Sequence, residues 1–113
     1  MSGTFQGRLA YASCAVAGAA VTFNSQSGDF DETPTTPIYT GAGIFTLTLS
    51  SPIDSLEACY QVTCRSIAGR ARIGIVDSAL TTDTTIVVRV FDDAGAAADP
   101  TGFDLTIVVK PAN

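Results

Sequence analysis

The clearest pattern in the chain is alternation of apolar and polar residues with a period of two. Phe103, Leu105, Ile107 and Val109 recur on one side, and Asp104, Thr106, Val108 and Lys110 on the other. This is a strand with one face in a core and one in water. Pro111 then removes a backbone donor and ends the pairing. Upstream, Ile86-Val87-Val88-Arg89-Val90-Phe91 is apolar on both sides except at Arg89. It predicts a strand covered on both faces, by a second sheet or by another subunit. Asp92 to Gly102 lies between, with the aspartates, glycines and proline that turns require. Thr84 to Asn113 therefore reads as a long hairpin closing a sheet.

The same period recurs earlier. Phe45, Leu47 and Leu49 alternate with Thr46 and Thr48, and Ala58, Tyr60, Val62 and Cys64 share one side of the stretch Glu57 to Ile67. Ala68-Gly69 turns the chain, and Arg70 to Asp77 returns with Ala71, Ile73 and Ile75 inward and Arg70 and Arg72 outward. Ser50 to Ser55 is a turn or short helical cap, and Ser78 to Thr85 is a connection.

Leu9 to Phe23 is rich in alanine, which favours helix. Alternation of Leu9, Tyr11 and Ser13 with Ala10, Ala12 and Cys14, followed by Val21-Thr22-Phe23, predicts strands interrupted at Gly18 instead. The stretch has the length of a secretory apolar region, but only Arg8 supplies a basic flank, and it is too short and alanine-rich to span a membrane. No signal or membrane segment is expected.

Asn24 to Gly43 has no period and carries two prolines, three glycines and three acids. Loops of this length usually have a job or a strand of their own. Phe30, Ile38 and Tyr39 are expected to pin it, with Ile38-Tyr39-Thr40 as a short edge strand. The total is about 7–8 short strands, no long helix and no internal repeat, which predicts a single all-β domain over residues 1–113: an antiparallel β-sandwich or jelly roll.

Composition changes this picture in one respect. Charged residues are 15% of the 113-residue chain, against about 25% in typical soluble domains. So little charge, with one strand apolar on both faces, points to a surface partly buried against other chains. The net charge of −5 repels nucleic-acid backbones and anionic lipid, so neither is expected as a partner.

Chemistry is constrained mainly by what is missing. Without histidine, Ser/His/Asp and Cys/His catalysis are excluded, and no phosphate-binding glycine loop occurs. The chain is expected not to be an enzyme and to need no cofactor. Asp92, Asp93, Asp99 and Asp104 lack the alternating acids and closing glutamate of a calcium loop, so they read as a solvated turn rather than a metal site. Cys59 and Cys64 on one strand would face opposite ways, roughly 16 Å apart. They are expected to stay reduced, with Cys14, in a protein made in a cytosol. Arg65, Arg70 and Arg72 flank one turn and form the leading candidate interface, since guanidinium forks suit carboxylates such as Asp29, Asp31, Glu32, Asp92 and Asp93 of a neighbouring copy.

Thr85 to Lys110, a strand followed by Asp-Ala-Gly-Ala-Ala-Ala-Asp-Pro, then Phe-Asp-Leu and a final strand, resembles the carboxyl end of small structural proteins of tailed bacteriophages. Gly43 to Leu49 and Arg72 to Val76 are similar to that family as well, so the resemblance covers about half the chain. It implies a tumour-necrosis-factor-like jelly roll, commonly a homotrimer, carried on the virion exterior and made in the host cytoplasm. A capsid cement or decoration protein fits the size, with the phage major capsid protein as partner and no catalytic residues to transfer. The threefold axis would be lined by Val87 and Phe91, or by Tyr60 and Val62. The alternative is the receptor- or carbohydrate-binding head of a tail fibre, which needs exposed loop aromatics. Tryptophan is absent, and only Phe30 and Tyr39 fall in a predicted loop.

Overall fold

The computed structural model describes residues 8–32 and 37–109. It is an antiparallel β-sandwich. The strands are β1 (Arg8–Ala17), β2 (Ala20–Gln26), β3 (Ile38–Gly41), β4 (Ile44–Thr48), β5 (Ala58–Arg65), β6 (Ile73–Val76), β7 (Thr85–Phe91) and β8 (Gly102–Val109). One sheet has the order β2-β1-β8-β5 and the other β3-β4-β7-β6. The pairs β1 with β8 and β4 with β7 are nested, while β1-β2, β3-β4 and β6-β7 are neighbours joined directly along the chain. Lys110 and Pro111, expected to end the last strand, lie outside the described residues.

Alternation builds the core as expected in β8 and β4. Phe103, Leu105, Ile107 and Val109 are buried opposite Phe45, Leu47 and Leu49. The Phe45 and Phe103 rings meet with centroids 5.0 Å apart. Removing a side chain of this size from water stabilises a fold by about 1.5–3 kcal/mol. The alanine-rich stretch is indeed two strands, turned at Gly18 with φ of 62°. The small residues Ala10, Ala12 and Cys14 are its core face, and β1 lies inside its sheet between β2 and β8. Before β5, Asp54 caps a single 3-10 turn, Ser55–Glu57, accepting the Leu56 amide at 3.1 Å.

Three expectations are corrected. First, Thr84 to Asn113 is not a hairpin: β7 and β8 belong to different sheets. The chain folds back after Phe91, with Ala98 N–H donating to the Val90 carbonyl, then crosses the sandwich through Asp99 to Thr101. Two apolar strands joined by a turn-rich segment satisfy either arrangement, because each needs only one face toward a common core. Second, β5 and β6 also lie in opposite sheets, so the Ala68-Gly69 turn links layers rather than neighbours.

Third, β6 has the opposite phase. Ile73 and Ile75 are 55% and 48% exposed, while Gly74 and Val76 turn inward. The cause is steric. A Cβ on Gly74 would run into the Val62 side chain and lie 2.9 Å from the Cys64 sulfur, so only glycine allows the sheets to approach here. Of the loop anchors, Phe30 is buried and Tyr39 packs on the core, but Ile38 faces solvent at 40% exposure.

Candidate functional site

The two outer faces of the sandwich differ in chemistry. On the first sheet, Tyr11, Thr106 and Gln61 form one cross-strand row and Ser13, Asp104 and Thr63 the next. A third row, Leu9, Val108 and Cys59, adds exposed apolar side chains, so this face is mixed. On the second sheet, register aligns Ile38, Thr46 and Val87, then Ile44, Arg89 and Ile75, then Phe91 and Ile73. Thr48 and Thr85 add a polar row, so the apolar side chains of this face gather around Ile44, Phe91, Ile73 and Ile75, and it contains the strand whose two apolar sides were read from sequence.

Arg89 is the exception, and local contacts account for it. Its guanidinium lies 5.6 Å from the centroid of the Phe91 ring, and its Nη1 is 3.3 Å from Asp77 Oδ2. Its Nε is buried without a partner. The charge is thus neutralised within the chain and packed against an aromatic ring, which leaves the surrounding face apolar. Val87 is only 6% exposed and Phe91 is half-buried, so both candidate residues stand on this face, one of them already largely covered. Asp77 to Thr85, which leads into β7, supplies the Thr81 hydroxyl oxygen to the Val87 amide at 3.1 Å.

The other candidates fall elsewhere. Tyr60 and Val62 point inward and pack on the core. The Tyr60 hydroxyl is buried without a partner, and burial, helped by the charge of Asp83, raises its pKa. The three arginines do not form one cluster. Arg65 donates to Asp104 at 2.6 Å and to the Cys14 carbonyl at 2.7 Å, spanning Gly102, where a Cβ would lie 2.6 Å from its guanidinium. Arg72 donates through Nε to the Asp99 carbonyl at 2.8 Å. Arg72 therefore holds the β7–β8 crossover and Arg65 ties β5 to β8 and β1 within one sheet, while Arg70 is exposed.

The acidic turn is occupied by internal bonds. Asp92 accepts the amides of Ala94 and Ala96, closing the turn. Asp99 accepts the Tyr39 hydroxyl at 2.8 Å and the Gly43 amide at 2.7 Å, fastening the crossover to the β3–β4 hairpin. Burial acts to raise the Asp104 carboxyl, but hydrogen bonds from Ser13 and Arg65 and the charge of Arg65 bring it below its ordinary value. Among the described residues no three histidine, cysteine or acidic side chains converge as a metal site. All three cysteines are free thiols. Cys14 is buried and Cys59 exposed.

Sequence reasoning missed Ile38, Ile44, Ile73 and Ile75 as parts of one surface. The available signal was Gly74: a glycine between two isoleucines marks a close backbone approach, which puts the isoleucines on the opposite face. Compared with protein-family models, with curated proteins and with solved structures, the chain matches none.

Proposed function

We propose that this chain is a structural protein of a bacteriophage virion: a capsid cement or decoration protein that associates with itself and lies on the outer shell, against the major capsid protein. The observation that carries the reading is the outer face of β3-β4-β7-β6. There Ile44, Val87, Phe91 and Ile75 adjoin an internally neutralised Arg89, with Ile73 beside Phe91. A contiguous apolar face of this kind is the mark of a contact surface. The threefold assembly implied by the resemblance would cover it.

In this reading the protein is not an enzyme and takes no cofactor; its contribution is buried area. The net charge of −5 disfavours packaged nucleic acid as the partner and suits an exterior position. The tail-fibre alternative loses support because Phe30 is buried and the Tyr39 hydroxyl is engaged by Asp99. Quantifying the protein in purified particles by gel densitometry tests the proposal. Abundance comparable to the major shell subunit is expected. Abundance typical of a tail component favours the alternative, and absence from particles overturns both.

A further inference from the structure

The sandwich has four edge strands, β2, β5, β3 and β6, and their chemistry is unequal. The pairing of β2 and of β3 with its neighbour is interrupted by a register shift, and such irregularities blunt an edge. β5 turns Cys59, Gln61 and Thr63 to solvent and ends in the Arg65 ion pair. β6 has neither bulge, proline nor charge in its four residues, and its solvent face is two exposed isoleucines.

The backbone groups available at that edge follow from the ladder. Asp77 N–H donates to the Val87 carbonyl, so position 77 bonds toward β7. Val90 N–H donates to Gly43, so Val90, opposite Gly74, bonds away from β6. Alternation then directs the N–H and C=O groups of Gly74 and Val76 outward. Among the described residues neither makes a backbone hydrogen bond outside its sheet. An edge with two such residues flanking Ile75 is self-complementary. An antiparallel copy can pair Gly74 with Val76 and Val76 with Gly74, forming four hydrogen bonds.

We propose that β6 pairs with β6 of a second copy of this chain across a twofold axis, continuing the β3-β4-β7-β6 sheet from one molecule into the next, with Ile75 packed on Ile75 at the axis. The flanking charges favour this occupant. Arg70 is exposed ahead of the strand and Asp77, which also pairs with Arg89, follows it, so antiparallel pairing sets the basic end of each copy beside the acidic end of the other. A parallel alignment would oppose like charges. The contact is isologous and closes at two. It goes beyond the virion reading and stands without it: particle composition tests that reading, and solution mass tests this one.

The experiment uses light scattering and register-specific cross-linking of the full chain. The wild type is expected to contain an even number of chains, two from this contact alone or six where a threefold contact also forms, and Ile75→Lys, which lies in both contacts, is expected to lower that mass with its melting transition retained. In a Cys59→Ser background, Ile75→Cys should form a disulfide-linked dimer on mild oxidation, while Ile73→Cys, opposite Asp77 of the other copy, should not. A wild type of one or three chains overturns the proposal. So does equal cross-linking of both cysteine variants, or cross-linking of neither.

Discussion

The carboxylate of Asp99 accepts the backbone amide of Gly43 at 2.7 Å, joining positions 56 residues apart in the chain. Gly43 has φ of 69°, and a Cβ there would run into the Val90 carbonyl and lie 3.0 Å from Ala98 N. The hairpin tip and the crossover therefore fit only around glycine. Gly43→Ala is expected to destabilise the protein by about 2–4 kcal/mol, combining positive-φ strain with a backbone clash. Gly28→Ala has positive φ but open space around it, and should cost only about 1 kcal/mol. Denaturant unfolding of the two variants compares them directly, and equal losses would contradict the packing argument.

At the opposite edge, Gly74 and Val62 set the spacing between the sheets. Gly74→Ala should cost about 1–3 kcal/mol through overpacking. Adding Val62→Ala should restore part of that loss, because the new methyl then occupies the space vacated by valine. A double-mutant cycle with no coupling would show that the layers meet differently.

Stability should fall at both ends of the pH scale, for opposite reasons. The Asp83 carboxyl is lowered by hydrogen bonds from the Ser55 amide and hydroxyl, and Asp104 is lowered through its Ser13 and Arg65 contacts against the opposing effect of burial. A lowered folded pKa gives stability that is present above the ordinary value of 3.8 and is lost as pH falls through the folded value. Tyr39 is raised by its hydrogen bond to Asp99 and by burial, and Tyr60 by burial. Their contribution is complete below the ordinary value of 10.0 and is lost as pH rises through the folded values. Asp83→Asn should flatten the acid limb and Tyr39→Phe the alkaline limb in melts taken across pH. A Tyr39→Phe variant with an unchanged alkaline limb would remove the Asp99 bond from the explanation.

The thiols should react in order of burial. Burial pushes the Cys14 thiol up to about 12, which keeps it protonated and unreactive. Titration of the native protein with a thiol reagent should modify Cys59 first, and Cys14 only at the rate of unfolding. Mass mapping of the modified peptides checks this, and early labelling of Cys14 would contradict its place in the core.

The strands were legible wherever large apolar residues alternate with polar ones, as in Phe103 to Val109 and Phe45 to Leu49. Which strands are neighbours was not legible. β7 and β8 have the composition of a hairpin, yet the sandwich needs them in separate layers, and the decisive bonds run from Asp99 to Tyr39 and Gly43, far away in sequence. The phase of β6 was misread because isoleucine outweighs glycine in hydrophobicity, whereas contact with Val62 and Cys64 gives glycine the inner position. Arg65 and Arg72 looked like interface residues because their bonds to Cys14, Asp104 and Asp99 are long-range. The apolar outer side of β7 was visible in Val87 and Phe91, and the structure extends it to Ile44 of β4 and to Ile73 and Ile75 of β6.

Self-association is the central claim, and the mass of the purified protein in solution tests it most directly. Light scattering at micromolar concentration should find an assembly heavier than one 11.6 kDa chain, reduced in mass by Ile75→Lys. A single monomeric species under the same conditions would contradict the account.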